Sequence, residues 1–162
     1  MIAIEAPLFR ALRAFLAGML LLLAGCVPAP PGPALNGPLP PPAPGTARLI
    51  FYRNLDYYGT QAMPTVYLNS QPAGISQNGA VFYRDVAPGL YTVTVAPSLP
   101  YPDQFKSVVV KPGDVFYLQI ATLPPTAGRF NVNQRDYGDT FIVTVRDPAY
   151  GQFETQGLRL SG

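Results

Sequence analysis

The 162-residue chain contains no histidine, no tryptophan and a single cysteine, Cys26. Without histidine, the chain cannot form a Ser-His or Cys-His catalytic arrangement or a zinc site of the Cys/His kind. A single cysteine cannot form an intrachain disulfide. Charged residues make up only 12% of the chain, about half the share usual in soluble domains. We therefore expect neither a cofactor nor a resident metal.

The first 25 residues have the pattern of a secretory signal peptide. Two arginines precede an uncharged run at 14–23, which is shorter than the roughly 20 residues needed to span a bilayer. The sequence LAGC at 23–26 resembles the lipobox of bacterial lipoproteins. The resemblance implies cleavage after Gly25 and acylation of Cys26, where two or three acyl chains give stable anchoring. A plain secretory signal and a short membrane helix are the alternatives.

Residues 26–46 are predicted to form a lipidated tether. Nine of the 19 residues at 27–45 are proline, which fixes φ and removes a backbone donor, so the segment favours extended polyproline II. At about 3.1 Å per residue its reach is on the order of 60 Å. The segment is interpreted as a spacer, and a proline-rich ligand for the aromatic groove of a partner is the alternative.

The charge balance argues against nucleic acid as a partner. Removal of residues 1–25 leaves 9 basic and 8 acidic residues, so the mature chain is nearly neutral. Nucleic-acid binding depends on clustered lysine and arginine, and the sequence has no such cluster.

Beyond residue 46, short apolar runs with alternating polarity are separated by Gly, Pro and Asn turns. This pattern predicts an all-β domain at 47–146, a small antiparallel β-sandwich of seven to eight strands. Turns are expected at 69–74, 87–90 and 111–114. Residues 147–162 are expected to be a polar C-terminal tail that frays or adds an edge strand at 158–160, and no helix is predicted there. The predicted strands are 47–53, 65–68, 80–86, 90–96, 106–110, 115–121, 129–133 and 140–146.

Four segments within 47–121 carry a family resemblance: ARLIFYR, TVYLNSQPAGIS, AVFYRDVAPGLYTVTV and KSVVVKPGDVFYLQIA. They resemble bacterial lipoproteins that contain a domain of unknown function, which are similar in turn to PEGA-type β-sandwich modules. The resemblance implies a prealbumin-like fold. Its motifs lie in turns and core strands, and it brings no catalytic residues.

The acidic residues give only a weak case for catalysis. A pair of them could serve a glycan hydrolase, but most lie beside Gly or Pro, where Asp is an ordinary turn residue. The oxygen-rich segment 133–139 lacks the spacing of a calcium loop, and a polar hairpin loop is favoured. We therefore predict that the protein is not an enzyme. The residues considered are Asp56, Asp85, Asp103, Asp114, Asp136, Asp139, Asp147 and Glu154.

Tyrosines in predicted loops are the better candidates for a binding site. Tyr57, Tyr58 and Tyr101 offer flat amphipathic surfaces for a protein or glycan, although tyrosines that cover sheet edges are the alternative. The sequence thus favours a non-catalytic envelope lipoprotein that contacts a protein partner or the cell-wall polymer. A passive structural spacer ranks second and a hydrolase third. Val27 follows the lipidated cysteine, which by resemblance to enteric sorting favours a periplasm-facing position on the outer membrane.

Overall fold

The computed structural model describes residues 32–57, 61–96, 104–122 and 141–161, which belong to one compact unit. These residues form nine strands and one short helix. In chain order the elements are β1 (Ala47–Arg53), β2 (Thr65–Leu68), β3 (Gln71–Ile75), β4 (Ala80–Val86), β5 (Gly89–Val95), β6 (Phe105–Val110), β7 (Val115–Thr122), β8 (Phe141–Arg146), α1 (Pro148–Thr155) and β9 (Arg159–Leu160).

The strands build two sheets, so the expected all-β sandwich architecture is confirmed. One sheet has the order β8-β7-β1-β4-β9 and the other has the order β3-β2-β5-β6. The prediction of a purely antiparallel arrangement is wrong, because β1 pairs in parallel with β7 and β4 pairs in parallel with β9. The chain leaves the first sheet after β4, builds β5 and β6 in the second sheet, and returns as β7 in the direction of β1.

The strand count also exceeds the predicted seven to eight. Strand β3 lies mostly where a turn was expected, and β9 lies within the optional edge strand expected at 158–160. The predicted strand at 129–133 lies outside the described residues.

Strand β1 is the centre of the molecule and is buried along all seven residues. Its inward side chains Leu49 and Phe51 belong to the core between the sheets, where the Phe51 and Phe82 rings stack at 4.9 Å. The two sheets approach closely at Gly74, because a Cβ there would lie 2.6 Å from the Phe82 ring. Only glycine fits at this position without displacing the ring.

Arg53, the last residue of β1, also points into the sandwich and is only 1% exposed. Its guanidinium donates to the Ala62 carbonyl oxygen at 2.8 Å and to Thr122 Oγ1 at 3.2 Å, and it lies over the Phe141 ring at 4.8 Å. Burial lowers the pKa of Arg53. Because a buried cation is costly unless it is hydrogen-bonded, these contacts fix one end of the core.

The turns agree with the predictions in one case and differ in another. At 111–114, Gly113 has φ 86° and the Asp114 amide donates to the Lys111 carbonyl at 3.1 Å, as a type II turn requires. The expected turn at 69–74 is shorter than predicted: only Asn69 and Ser70 form the turn, and β3 begins at Gln71. Both turn residues have positive φ, which is the two-residue hairpin geometry.

The C-terminal segment forms the edge strand β9, which was one of the two expected outcomes, and the helix α1, which was not predicted. Asp147 caps α1 by accepting from the amides of Ala149 and Tyr150, and Pro148 occupies the first turn. Gly151 lets the helix lie against β7, because a Cβ there would lie 2.4 Å from Tyr117 Cβ. An eight-residue helix is too short for a clear periodic pattern, although the Asp-Pro pair marks its start.

Ser70 has φ 66°, a conformation that glycine adopts without a steric penalty. We expect Ser70→Gly to raise the free energy of unfolding by about 1 kcal/mol, because it relieves this strain. Gly113→Ser is the matched control: it places a side chain at φ 86°, where nothing lies within 4 Å of the new Cβ, so conformational strain alone should destabilise it. Urea unfolding midpoints measure both, and equal midpoints for Ser70→Gly and the original chain would contradict the prediction.

Candidate functional site

The outer face of the five-stranded sheet is covered by two segments. Residues 32–41, here called the strap, place Leu35 and Leu39 against an outward cluster that includes Ile50 and Tyr52 of β1. Helix α1 covers the neighbouring part of the face on β7. The strap comes from the proline-rich segment that was predicted as a free spacer, so this part of the segment belongs to the fold.

The strap pairs with the C-terminal strand in an antiparallel manner. The Leu35 amide donates to the Leu158 carbonyl at 2.7 Å, and the Gly157 amide donates back to the Leu35 carbonyl at 3.0 Å. The Leu160 amide donates to the Pro33 carbonyl at 2.8 Å. Proline has no amide to donate, but its carbonyl remains an acceptor, so the strap can still pair along this edge.

A polar network lies where α1 meets the sheet. The Tyr52 hydroxyl donates to Glu154 Oε2 at 2.5 Å, and Asn54 Nδ2 donates to Glu154 Oε1 at 2.9 Å. Arg146 Nε donates to Gln119 Oε1 at 2.8 Å and lies 3.7 Å from Glu154 Oε2. Burial, together with the hydrogen bond to Glu154, raises the pKa of Tyr52. The network therefore holds a neutral tyrosine and docks the helix.

A second polar cluster holds the other end of the strap. Arg48 forms a bidentate pair with Asp85, with distances of 2.6 and 2.7 Å, and lies over the Tyr83 ring at 4.1 Å. The same guanidinium donates to the Pro40 carbonyl of the strap. The hydrogen bond to Asp85 raises the pKa of Arg48, and the same bond lowers the pKa of Asp85.

The outer face of the four-stranded sheet is bare in the part of the chain that the structure describes. Strand register places Leu90 opposite Val109, Thr92 opposite Ser107 and Thr94 opposite Phe105. The alternation along these strands turns this set outward, because the intervening Val93, Val95, Val108 and Val110 are buried in the core. Tyr67 extends the surface, since it pairs with Thr94 across β2 and β5. We call the surface formed by Tyr67, Leu90, Thr92, Thr94, Phe105, Ser107 and Val109 the bare face.

The bare face has no charged side chain, and three of its seven residues, Leu90, Phe105 and Val109, are apolar and exposed. Leu90 is 62% exposed and Val109 is 64% exposed, and these two residues are cross-strand neighbours. Thr92 and Ser107 share a hydroxyl hydrogen bond of 3.3 Å between them. Contiguous exposed apolar surface on a sheet is typical of an interaction site, so this face is the candidate functional site.

An open groove of about 560 Å³ lies at the end of the sandwich next to buried Arg53. Its lining includes Met63, Pro64, Ala96 and Phe141. Met63 is 63% exposed, so the groove has an accessible apolar wall. The groove offers mainly apolar contacts.

Of the candidate site residues predicted from the sequence, only Tyr57 can be placed. It is 94% exposed, as a binding tyrosine requires. Tyr58 and Tyr101 lie outside the described residues, as do Gly25 and Cys26 and the segment 133–139. The bare face was not predicted, although the alternation that turns Val93 and Val95 into the core already places Leu90 on the opposite side of β5.

The described carboxylates have structural partners. Asp85 pairs with Arg48, Asp114 accepts from the Lys111 amide at 2.8 Å, Asp147 caps α1 and Glu154 accepts from Tyr52. Among the described residues, no three of the potential metal-ligating side chains come together. Asp103, Asp136 and Asp139 lie outside the described ranges.

Comparisons with known proteins give no relative: no family model, no curated protein and no solved structure matches the chain. Within the described ranges, no helix has the length and apolar character needed to cross a membrane.

The Arg48–Asp85 pair makes a pH prediction. Because the folded-state pKa of Asp85 lies below its unfolded value, the pair stabilises the fold above about pH 4, and this stability is lost as the pH falls through the folded-state pKa. At pH 7, Asp85→Asn should lower the free energy of unfolding by about 1 kcal/mol, since the carboxylate is partly screened by solvent. Urea midpoints between pH 7 and pH 2 should converge for the two proteins, and a constant difference would contradict the assignment.

Proposed function

We propose that the protein is an envelope lipoprotein, anchored through acylated Cys26, whose sandwich binds a protein partner through the bare face. The observation that carries the proposal is the contrast between the two outer faces. One face is covered by the strap and α1, while the other presents accessible Leu90 and Val109 without a charge. The proposed activity is binding, with no catalytic step.

The chemistry of the bare face favours protein over the cell-wall polymer. Glycan sites rely on aromatic platforms and dense polar groups, and the bare face has only two aromatic side chains, Tyr67 and Phe105, among threonines and aliphatic residues. Protein interfaces combine an apolar centre with hydrogen-bonding groups at its edges. Leu90 and Val109 form such a centre, beside the hydroxyls of Thr92 and Ser107.

Strand β6 adds a second mode of contact. It is the last strand of the four-stranded sheet in the described part of the chain. Among the described strands none pairs with its outer edge, and its outward side chains Phe105, Ser107 and Val109 lie beside that edge. An extended peptide from a partner can pair with such an edge while its side chains contact the bare face.

The position in the envelope is part of the same proposal. The lipobox at 23–26 supports lipid anchoring, and Val27 supports the outer membrane rather than the inner one. We also retain the relation to PEGA-type modules as a proposal. It is supported by the two packed sheets and by the Pro-Gly turn between β6 and β7, which are features shared by many β-sandwiches.

The anchor is tested by metabolic labelling with a palmitate analogue in a bacterial host. The original chain should incorporate the label and partition into membranes, while Cys26→Ser should lose all incorporation, because the sequence has no other cysteine. Val27→Ala, next to the anchor, should keep the label. An unlabelled original chain would show that the anchor assignment is wrong.

The bare face is tested by crosslinking in cells that express the tagged full-length protein, followed by mass spectrometry. The double variant Leu90→Lys/Val109→Glu places an ion pair across the two strands, which preserves pairing and removes the apolar centre. We expect it to reduce partner capture at least tenfold. Phe153→Lys is the control, because Phe153 is an exposed apolar residue on α1, away from the bare face.

A third variant separates the bare face from the loops. Tyr57→Ser/Tyr58→Ser/Tyr101→Ser removes the tyrosines first suggested by the sequence. Loss of the partner in this variant, with normal capture by the Leu90/Val109 variant, would move the site to the loops. Equal background in all variants and in the original chain would favour a passive spacer.

A further inference from the structure

The proline-rich segment divides into a docked part and a short remainder. From Gly32 onward the strap is held by its pairing with Leu158 and Leu160, by the packing of Leu35 and Leu39, and by the contact of Pro40 with Arg48. At Gly32 the fit is so close that a Cβ would lie 1.9 Å from the Leu160 carbonyl oxygen. Only residues 26–31 therefore separate the proposed lipid anchor from the folded domain.

We infer that the strap makes the domain a membrane-apposed module, held at the bilayer surface by a tether of six residues. At about 3.3 Å per residue, six residues span no more than about 20 Å, which is a third of the reach of the whole proline-rich segment as a free spacer. The inference rests on the proposed acylation of Cys26. Its partner is the lipid bilayer, because the lipid is joined to the chain within this distance.

The strap also sets the orientation of the domain. The tether leaves the fold beside β9, at one edge of the five-stranded sheet. Strand β8, at the opposite edge of that sheet, packs against β5 and β6, whereas β4 meets β3 through Phe82 and Gly74. The β9 edge therefore faces the bilayer, and the β6 edge, with Phe105 and Val109 of the bare face, lies on the far side. A partner would reach the bare face from the aqueous compartment.

The test measures the distance between the domain and the bilayer with the lipidated full-length protein in liposomes. Because Cys26 is acylated, Gln71→Cys on the exposed β2–β3 hairpin can be labelled with a donor alone, and the acceptor is a fluorescent lipid headgroup. Leu35→Asp/Leu39→Asp should release the strap and lower energy transfer to the value of a reference chain with twelve Gly/Ser residues inserted between Pro31 and Gly32. Ala34→Asp/Asn36→Asp is the control, since it adds the same charge at exposed strap positions.

The melting temperature of the same variants in the Cys26→Ser background provides a readout independent of the anchor. Release of a docked strap should lower it, while the Ala34/Asn36 control and the insertion should leave it nearly unchanged. Equal energy transfer in the original chain and the insertion variant would overturn the inference, and so would unchanged transfer in the Leu35/Leu39 variant. If the original chain carries no lipid, the anchor proposal and the inference of membrane apposition fail together, whereas the melting data alone decide whether the strap is docked.

Discussion

Strand β1 is buried on both of its faces, and the rest of the molecule follows from that constraint. The inward face is covered by the four-stranded sheet, as in any sandwich. The outward face carries Arg48, Ile50 and Tyr52, which are at most 4% exposed. A two-layer fold leaves such a face in water, so a third layer is needed, and the strap and α1 supply it.

The third layer is specified by polar groups as well as by apolar packing. Arg48 and Tyr52 are both buried. Each finds its hydrogen-bond partners on the covering segments or on the adjacent strand. Leucine side chains alone would tolerate a shifted strap, whereas an arginine that must reach both Asp85 and the Pro40 carbonyl fixes one position. Tyr52 and Glu154 act in the same way for α1. The two covers are thus locked at opposite ends of β1 by different chemistry.

The sequence was informative where a local pattern determines local structure. The alternating strands and the Pro-Gly turn at 111–114 could be predicted because side-chain period and φ depend on neighbouring residues. The docking of the strap could not be predicted, because nine prolines in 19 residues predict an extended backbone whether or not the segment packs against the sheet. Its only signal was Leu35 and Leu39 among prolines. The parallel β1–β7 pair was equally hidden, because it depends on which sheet each intervening strand joins. The bare face could be identified only from the register of β5 and β6, which places Leu90 beside Val109.

The covered face and the bare face leave room on one small domain for both the proposed anchor and the proposed binding site. The strap and the C-terminal strand meet at the β9 edge, where residues 33–35 pair with 157–160 through the backbone, so a load on the proposed tether would first reach this pairing. That pairing lies on the five-stranded sheet, and the core between the sheets separates it from Leu90 and Val109. A partner that binds at the bare face, as proposed, would therefore not displace the pairing between the strap and the C-terminal strand. This separation supports the proposed assignment of attachment to one sheet and recognition to the other.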